Sequence, residues 1–166
     1  MKRLLADISA HGFGHLAQTA PVLSALKRQF PEVAIVTRSG LPKERIAARL
    51  PEAILHMQSS DGFGLMMRSA TEVDRSATLD AYRRLHSDFS GHVNRLAEWL
   101  VAERIDLVFS NISYSILAAA DAAGIPSIAM SSHNWLHILD HYLAGEETFA
   151  AMRPEIEAAY LSSDVF

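Results

Sequence analysis

The sequence predicts an α/β fold of the doubly wound, Rossmann-like kind, a parallel sheet of about five strands ordered 3-2-1-4-5 with helices on both faces. Three observations carry this expectation. Short apolar runs alternate with longer segments of helical periodicity along the whole chain. The runs are apolar at nearly every position rather than every second one, as in strands buried on both faces. Parallel strands also need crossover helices, and right-handed crossovers favour the doubly wound order.

Residues 4–9 (LLADIS) form the first expected strand, closed by a turn over residues 10–14. A helix follows over 15–29, with Leu16, Ala20, Leu23 and Leu26 at helical spacing, and Pro31 stops it. The β-branched run 33–37 (VAIVT) is the second strand, and a basic helix over 43–50 lies between Pro42 and Pro51. Residues 53–57 give a third strand and 59–64 (SSDGFG) a loop. From 71 to 104 the chain reads as one long or once-broken helix. Tyr82, Leu85, Phe89, Val93, Leu96 and Leu100 mark its apolar face, and Gly91 is the candidate kink. A strand over 107–110, a helix over 114–123 ended by Gly124 and Pro126, and a fifth strand over 127–131 come next. Helices over 135–143 and 146–161 complete the chain.

Composition narrows the function. A chain of 166 residues fits a single domain that buries roughly two thirds of its unfolded surface, so residues 1–166 are read as one unit. It has no cysteine, which excludes thiolate nucleophiles, disulfides, Fe–S clusters and cysteine-ligated zinc. A net charge of −4 argues against a nucleic-acid partner held by bulk charge. No apolar run approaches the roughly 20 residues that span a bilayer, and Asp7 and His11 interrupt the N-terminal one, so neither a transmembrane segment nor a signal peptide is expected. A cytoplasmic location follows as the expectation.

In such a sheet, ligands bind beyond the carboxyl ends of the strands near the switch between the first and fourth. The loops 10–15, 58–64, 111–114 and 132–135 converge there, and they hold many of the chemically capable residues. Ser9-Ala10-His11-Gly12-Phe13-Gly14-His15 is the most informative. Gly12 and Gly14 let a ligand approach the backbone, and the helix behind them offers unpaired N–H groups to an anion. His15 falls in the first helical turn, where the dipole disfavours its protonation and leaves the neutral ring that a general base needs. A glycine-rich turn whose histidine only caps or packs is the plainer alternative. His11 and His15 are no metal pair, because the glycines between them break the helix that would align them.

A rival reading comes from spacing. Gly12-x-Gly14-x-x-Ala17 matches a dinucleotide fingerprint, and Arg38 after the second strand stands where a 2′-phosphate would be held. That describes an NADP-dependent oxidoreductase or a nucleotide-binding domain.

The segment from Ser9 to His15, with Pro21 and the VAIVT strand, resembles the opening of GT-B glycosyltransferases. It is most similar to the glycosyltransferase-like N-terminal portion of L-arabinokinase-type proteins, with their His-Gly-x-Gly-His element. It is more distantly similar to UDP-glycosyltransferases and to the N-acetylglucosaminyltransferase of peptidoglycan synthesis. The likeness continues through residues 105–111, 118–128, 132–135 and 160–164. It implies the acceptor-side half of an inverting hexosyltransferase, with a nucleotide-sugar donor held by a C-terminal domain that this chain does not contain. His15 would be the base that deprotonates a sugar or lipid hydroxyl, and no cofactor or metal is called for. His11, Gly12, Phe13, Gly14, Asp61, Asn111, His133, Asn134 and Trp135 would surround the substrates. Asn111 departs from the family, whose members often carry aspartate there. Without its donor half the chain would be inactive alone, and a non-catalytic ligand-binding half-protein is a further alternative.

The remaining residues give weaker signals. Trp135 offers an aromatic face for stacking on a sugar, or packs under the last helix. Asp61 lines the pocket or belongs to a surface turn. His137 and His141 are four apart on a helix but lack a third ligand. His56, His86 and His92 show no partner, and residues 38–49 read as a solvated basic face.

Overall fold

In the computed structural model, which describes residues 2–51 and 53–166, the strands are β1 (Arg3–Ile8), β2 (Ala34–Ser39), β3 (Ala53–Gln58), β4 (Leu107–Asn111) and β5 (Ser127–Ala129). They form one sheet in the order β3-β2-β1-β4-β5, every pair parallel. This is the doubly wound arrangement expected from the alternation, with the order reversing between β1 and β4. The helices are α1 (Gly14–Gln29), α2 (Lys43–Arg49), α3 (Arg75–His86), α4 (Phe89–Ala102), α5 (Tyr114–Ala122), α6 (Trp135–Tyr142) and α7 (Glu147–Leu161).

Alternation along the buried strands divides the core between the two faces. Leu4, Ala6 and Ile8 of β1 pack with Ile35 and Phe109 against Leu16 and Leu23 of α1 and Ile46 of α2. Leu5, Val36 and Val108 point the other way, onto Leu100 of α4 and Ile116 of α5. A third cluster joins Ile112, Leu117, Trp135, Leu139, Ile156 and Tyr160, seating α6 and α7 beside α5. Each such fully buried aliphatic or aromatic side chain contributes about 1.5–3 kcal/mol.

The long periodic stretch is broken once, into α3 and α4. It starts at Asp74, whose carboxylate accepts the Ala77 N–H at 2.9 Å and caps α3. It breaks at Ser87–Asp88, while Gly91 lies inside α4. The apolar stripe runs through the break because Tyr82 and Phe89, on opposite sides of it, enter the same core cluster. Among the described residues, no helix is long and apolar enough to cross a membrane.

Candidate active site

The carboxyl ends of β1, β4 and β5 bring three imidazoles together. His15, in the first turn of α1, lies with its ring centroid 5.5 Å from that of His133. The indole of Trp135 stands among them, 4.9 Å from His11, 5.2 Å from His133 and 5.8 Å from His15. The turn that carries His11 depends on Gly12, whose φ of +76° is the left-handed conformation that glycine adopts without strain.

Asn111, the last residue of β4, holds His15. Its amide oxygen lies 2.8 Å from His15 Nδ1. Its amide nitrogen donates to Thr19 Oγ1 at 3.1 Å and Gln18 Oε1 at 3.3 Å, and faces the His15 carbonyl at 3.4 Å. A carbonyl can only accept, so the amide orientation is set and Oδ1 must face the ring. The proton of neutral His15 therefore sits on Nδ1, and Nε2 carries the lone pair. Burial holds the His15 pKa below its ordinary 6.5. The Asn111 bond opposes that shift, and the neighbouring His133 and His11 add to it. Burial also holds His11 low, against a hydrogen bond to the Leu65 backbone. Two further polar atoms, His133 Nε2 and Ser131 Oγ, are buried without a hydrogen-bond partner among the described residues. Such orphaned groups cost stability unless a ligand or water completes them.

The opposite face of the sheet carries a second polar cluster that the sequence reading missed. Asp7 and Arg38 are register partners on β1 and β2, and each is almost wholly buried. The Arg38 guanidinium is shared between the carboxylates of Asp7 and Asp61. Asp61 Oδ2 also accepts from His92 Nε2 of α4 at 2.8 Å and Ser115 Oγ of α5 at 2.9 Å. Burial would raise the Asp61 pKa, but His92, Arg38 and Ser115 together hold it well below the usual range. Among the described residues Asp7 has only Arg38 as a hydrogen-bond partner, so burial prevails and its pKa rises from 3.8 to about 6, with the nearby Asp61 charge adding to the rise. The signal for this cluster was an aspartate and an arginine each interrupting an otherwise apolar strand.

Several expectations are corrected here. Asp61 does not line the histidine pocket; its side chain is 6% exposed and fully engaged on the other face. Arg38 is no solvated cation waiting for a 2′-phosphate, since two carboxylates already bind it, and the NADP reading loses its specificity residue. Trp135 offers no open stacking face, because it is 3% exposed and its indole packs against the backbone of Gly64. Asn134 caps α6 by accepting the His137 N–H at 2.9 Å. Phe13 is exposed, with the Arg45 guanidinium 5.3 Å from its ring centroid, while Gly12 and Gly14 have open space around them. His56 bonds Thr37, His92 bonds Asp61, and His86 bridges Glu155 and Tyr114, so each of these histidines has a partner. Of the residues expected at the site, the structure brings together His11, His15, Asn111, His133 and Trp135.

No known protein family's sequence pattern matches the chain, and no curated protein matches it in sequence. Solved structures do. A candidate UDP-N-acetylglucosamine 2-epimerase from Listeria monocytogenes aligns over 100% of this chain and 39% of its own, with 13% identity and a TM-score of 0.53. Another UDP-N-acetylglucosamine 2-epimerase aligns over 99% of this chain and 41% of its own, with 12% identity and a TM-score of 0.50. MurG from Acinetobacter baumannii aligns over 78% of this chain and 35% of its own, with 15% identity and a TM-score of 0.47. The chain shares a Rossmann-like fold with the parts of the two epimerase structures that it covers. It spans about two fifths of the length of the two epimerase structures.

Proposed function

We propose that the chain is the acceptor-side domain of an inverting GT-B glycosyltransferase that uses a nucleotide-sugar donor, with His15 as the general base. The observation that carries this reading is the His15–Asn111 contact. It assigns the ring proton to Nδ1 and leaves Nε2 basic at the carboxyl edge of the sheet, beyond β1 and β4. Attack of a hydroxyl on an anomeric carbon requires removal of its proton as the new C–O bond forms, and a neutral imidazole does this near pH 7. Asn111 orients the ring but, as an amide, stabilises the resulting imidazolium less than a carboxylate would. His11, His133 and Ser131 supply further polar atoms around the sugar or lipid acceptor. A second domain, outside residues 1–166, would grip the donor diphosphate.

The test is sugar transfer by the protein that carries this chain, assayed with a panel of nucleotide sugars. His15→Ala is expected to lower kcat by about 10²–10⁴-fold, the usual contribution of a positioned base. Transfer within about threefold of the parent would remove His15 from that role. Acceptor binding with no transfer by either protein would favour the non-catalytic reading.

A further inference from the structure

The two polar clusters share one piece of backbone, the loop over residues 59–65. Asp61 anchors it on the α4–α5 face through Arg38, His92 and Ser115. The residues just after Asp61 hold the histidine turn. The Gly62 carbonyl accepts from Ser9 Oγ at 3.1 Å and from the Ala10 N–H at 3.0 Å. The Leu65 backbone bonds the His11 ring. Gly64 lies flat against the Trp135 indole, with no room for a side chain between them. The Ser9 N–H in turn donates to the Asn111 carbonyl at 2.7 Å, tying the same turn to the residue that orients His15.

We infer that Asp61 is a positioning residue, and that the charge cluster on one face of the sheet sets the geometry of the histidine site on the other through this loop. This rests on the reading of the histidine cluster as the reactive site. A buried carboxylate held by a guanidinium, an imidazole and a hydroxyl has little freedom to shift, because any displacement strips charge-assisted hydrogen bonds. The loop therefore carries to His11 and Trp135 a rigidity that a glycine-rich loop of its composition lacks by itself. Misplacement of a reacting group by about 1 Å can cost 10²-fold in rate, so such an anchor matters to chemistry as well as to folding.

His92 is the handle, because its side chain is 22% exposed and its loss leaves the Arg38 pairs in place. The measurement is made on the ligand-free chain, from the ring resonances of His11 and His15 and the indole resonance of Trp135. His92→Leu is expected to move the His11 and Trp135 signals while the amide signals of the sheet stay in place. His92→Gln, whose amide N–H can donate to Asp61 in place of Nε2–H, is expected to return them toward the parent. Ser115→Ala should shift them in the same direction by less. A His92→Leu chain that melts earlier but keeps the parental His11 and Trp135 resonances would show a purely structural contact and overturn the inference. So would shifts that His92→Gln fails to reverse. If His92→Leu does not fold, Ser115→Ala decides by the same criterion. Sugar transfer is not read here, so a failed positioning role leaves the assignment of His15 standing, and a failed assignment leaves these shifts unaltered.

Discussion

The histidine cluster and the Asp7–Arg38–Asp61 cluster lie toward the same end of the sheet on opposite faces, and they manage burial differently. Around His15 the partners are an amide, neighbouring imidazoles and an indole. Around Arg38 they are charged, and the guanidinium is satisfied by two carboxylates. The partners of His15 give a buried proton acceptor no anion to stabilise its protonated form, and leave atoms such as His133 Nε2 unspent. Charged partners leave nothing free, but they fix the backbone that carries them. The first arrangement suits chemistry and the second suits anchoring.

The contrast breaks most readily at Arg38. Arg38→Met leaves two buried carboxylates without their cation, and removing one partner of such a network costs about 3–5 kcal/mol. Urea unfolding measures this. A loss below about 1 kcal/mol would show that Asp7 and Asp61 are not ionised together in the folded chain.

Acid separates the clusters by sign. The Asp7 carboxyl is raised from 3.8 to about 6, so the stability it contributes is present below pH 4 and is lost as pH rises toward 6. Over that window the change is about 3 kcal/mol. His11 and His15 are lowered from 6.5, so their contribution is present above that pH and is lost as pH falls. Where the two ranges overlap, below about pH 6, the slopes oppose each other. Asp7→Asn removes one of them, and the variant should lose stability more steeply than the parent on acidification from neutrality. Equal slopes in denaturant titrations would mean that Asp7 does not retain its proton in the fold.

Between the clusters, Gly64→Ala tests the loop that joins them. Its new methyl group would meet the Trp135 ring, and overpacking of this kind costs about 1–3 kcal/mol. Thermal unfolding should show the loss, and a stability equal to the parent's would mean that the indole yields freely. The smallest change gives His15 a charged partner. Asn111→Asp places a carboxylate against His15 Nδ1 and should raise the pKa of that ring, read from its proton resonances against pH. No upward movement would mean that the position 111 side chain no longer faces the ring.

The fold was legible because each strand and its crossover helix state themselves locally, and the strand order follows from the handedness of the crossovers. His15 and Asn111 were legible for a similar reason, since the ends of β1 and β4 meet wherever this topology forms. The charge cluster was not. Asp7 and Arg38 pair because β1 and β2 adopt one register, and Asp61 reaches them from a loop 23 residues beyond Arg38. Composition and periodicity carry no register. Trp135 was ambiguous because an indole at a sheet's edge can face ligand or core, and the choice fell to the absence of a side chain at Gly64. The helix break was expected but its place was not legible, because burial, not propensity, sets the apolar stripe, and that stripe runs through Ser87–Asp88 unaltered.

Tyr160 illustrates one more property of this architecture. Its hydroxyl donates to the Ile112 carbonyl at 3.0 Å and accepts the Trp135 N–H at 3.1 Å, so one atom joins the segments that follow β4 and β5. It belongs to α7, the last helix of these residues, whereas His11 and His15 are near the beginning. During synthesis, where earlier segments emerge and collapse first, the sheet can assemble well before that hydroxyl arrives. The pocket is therefore among the last features to set, and a nascent chain short of α7 has a nearly complete sheet with unfinished chemistry at its edge.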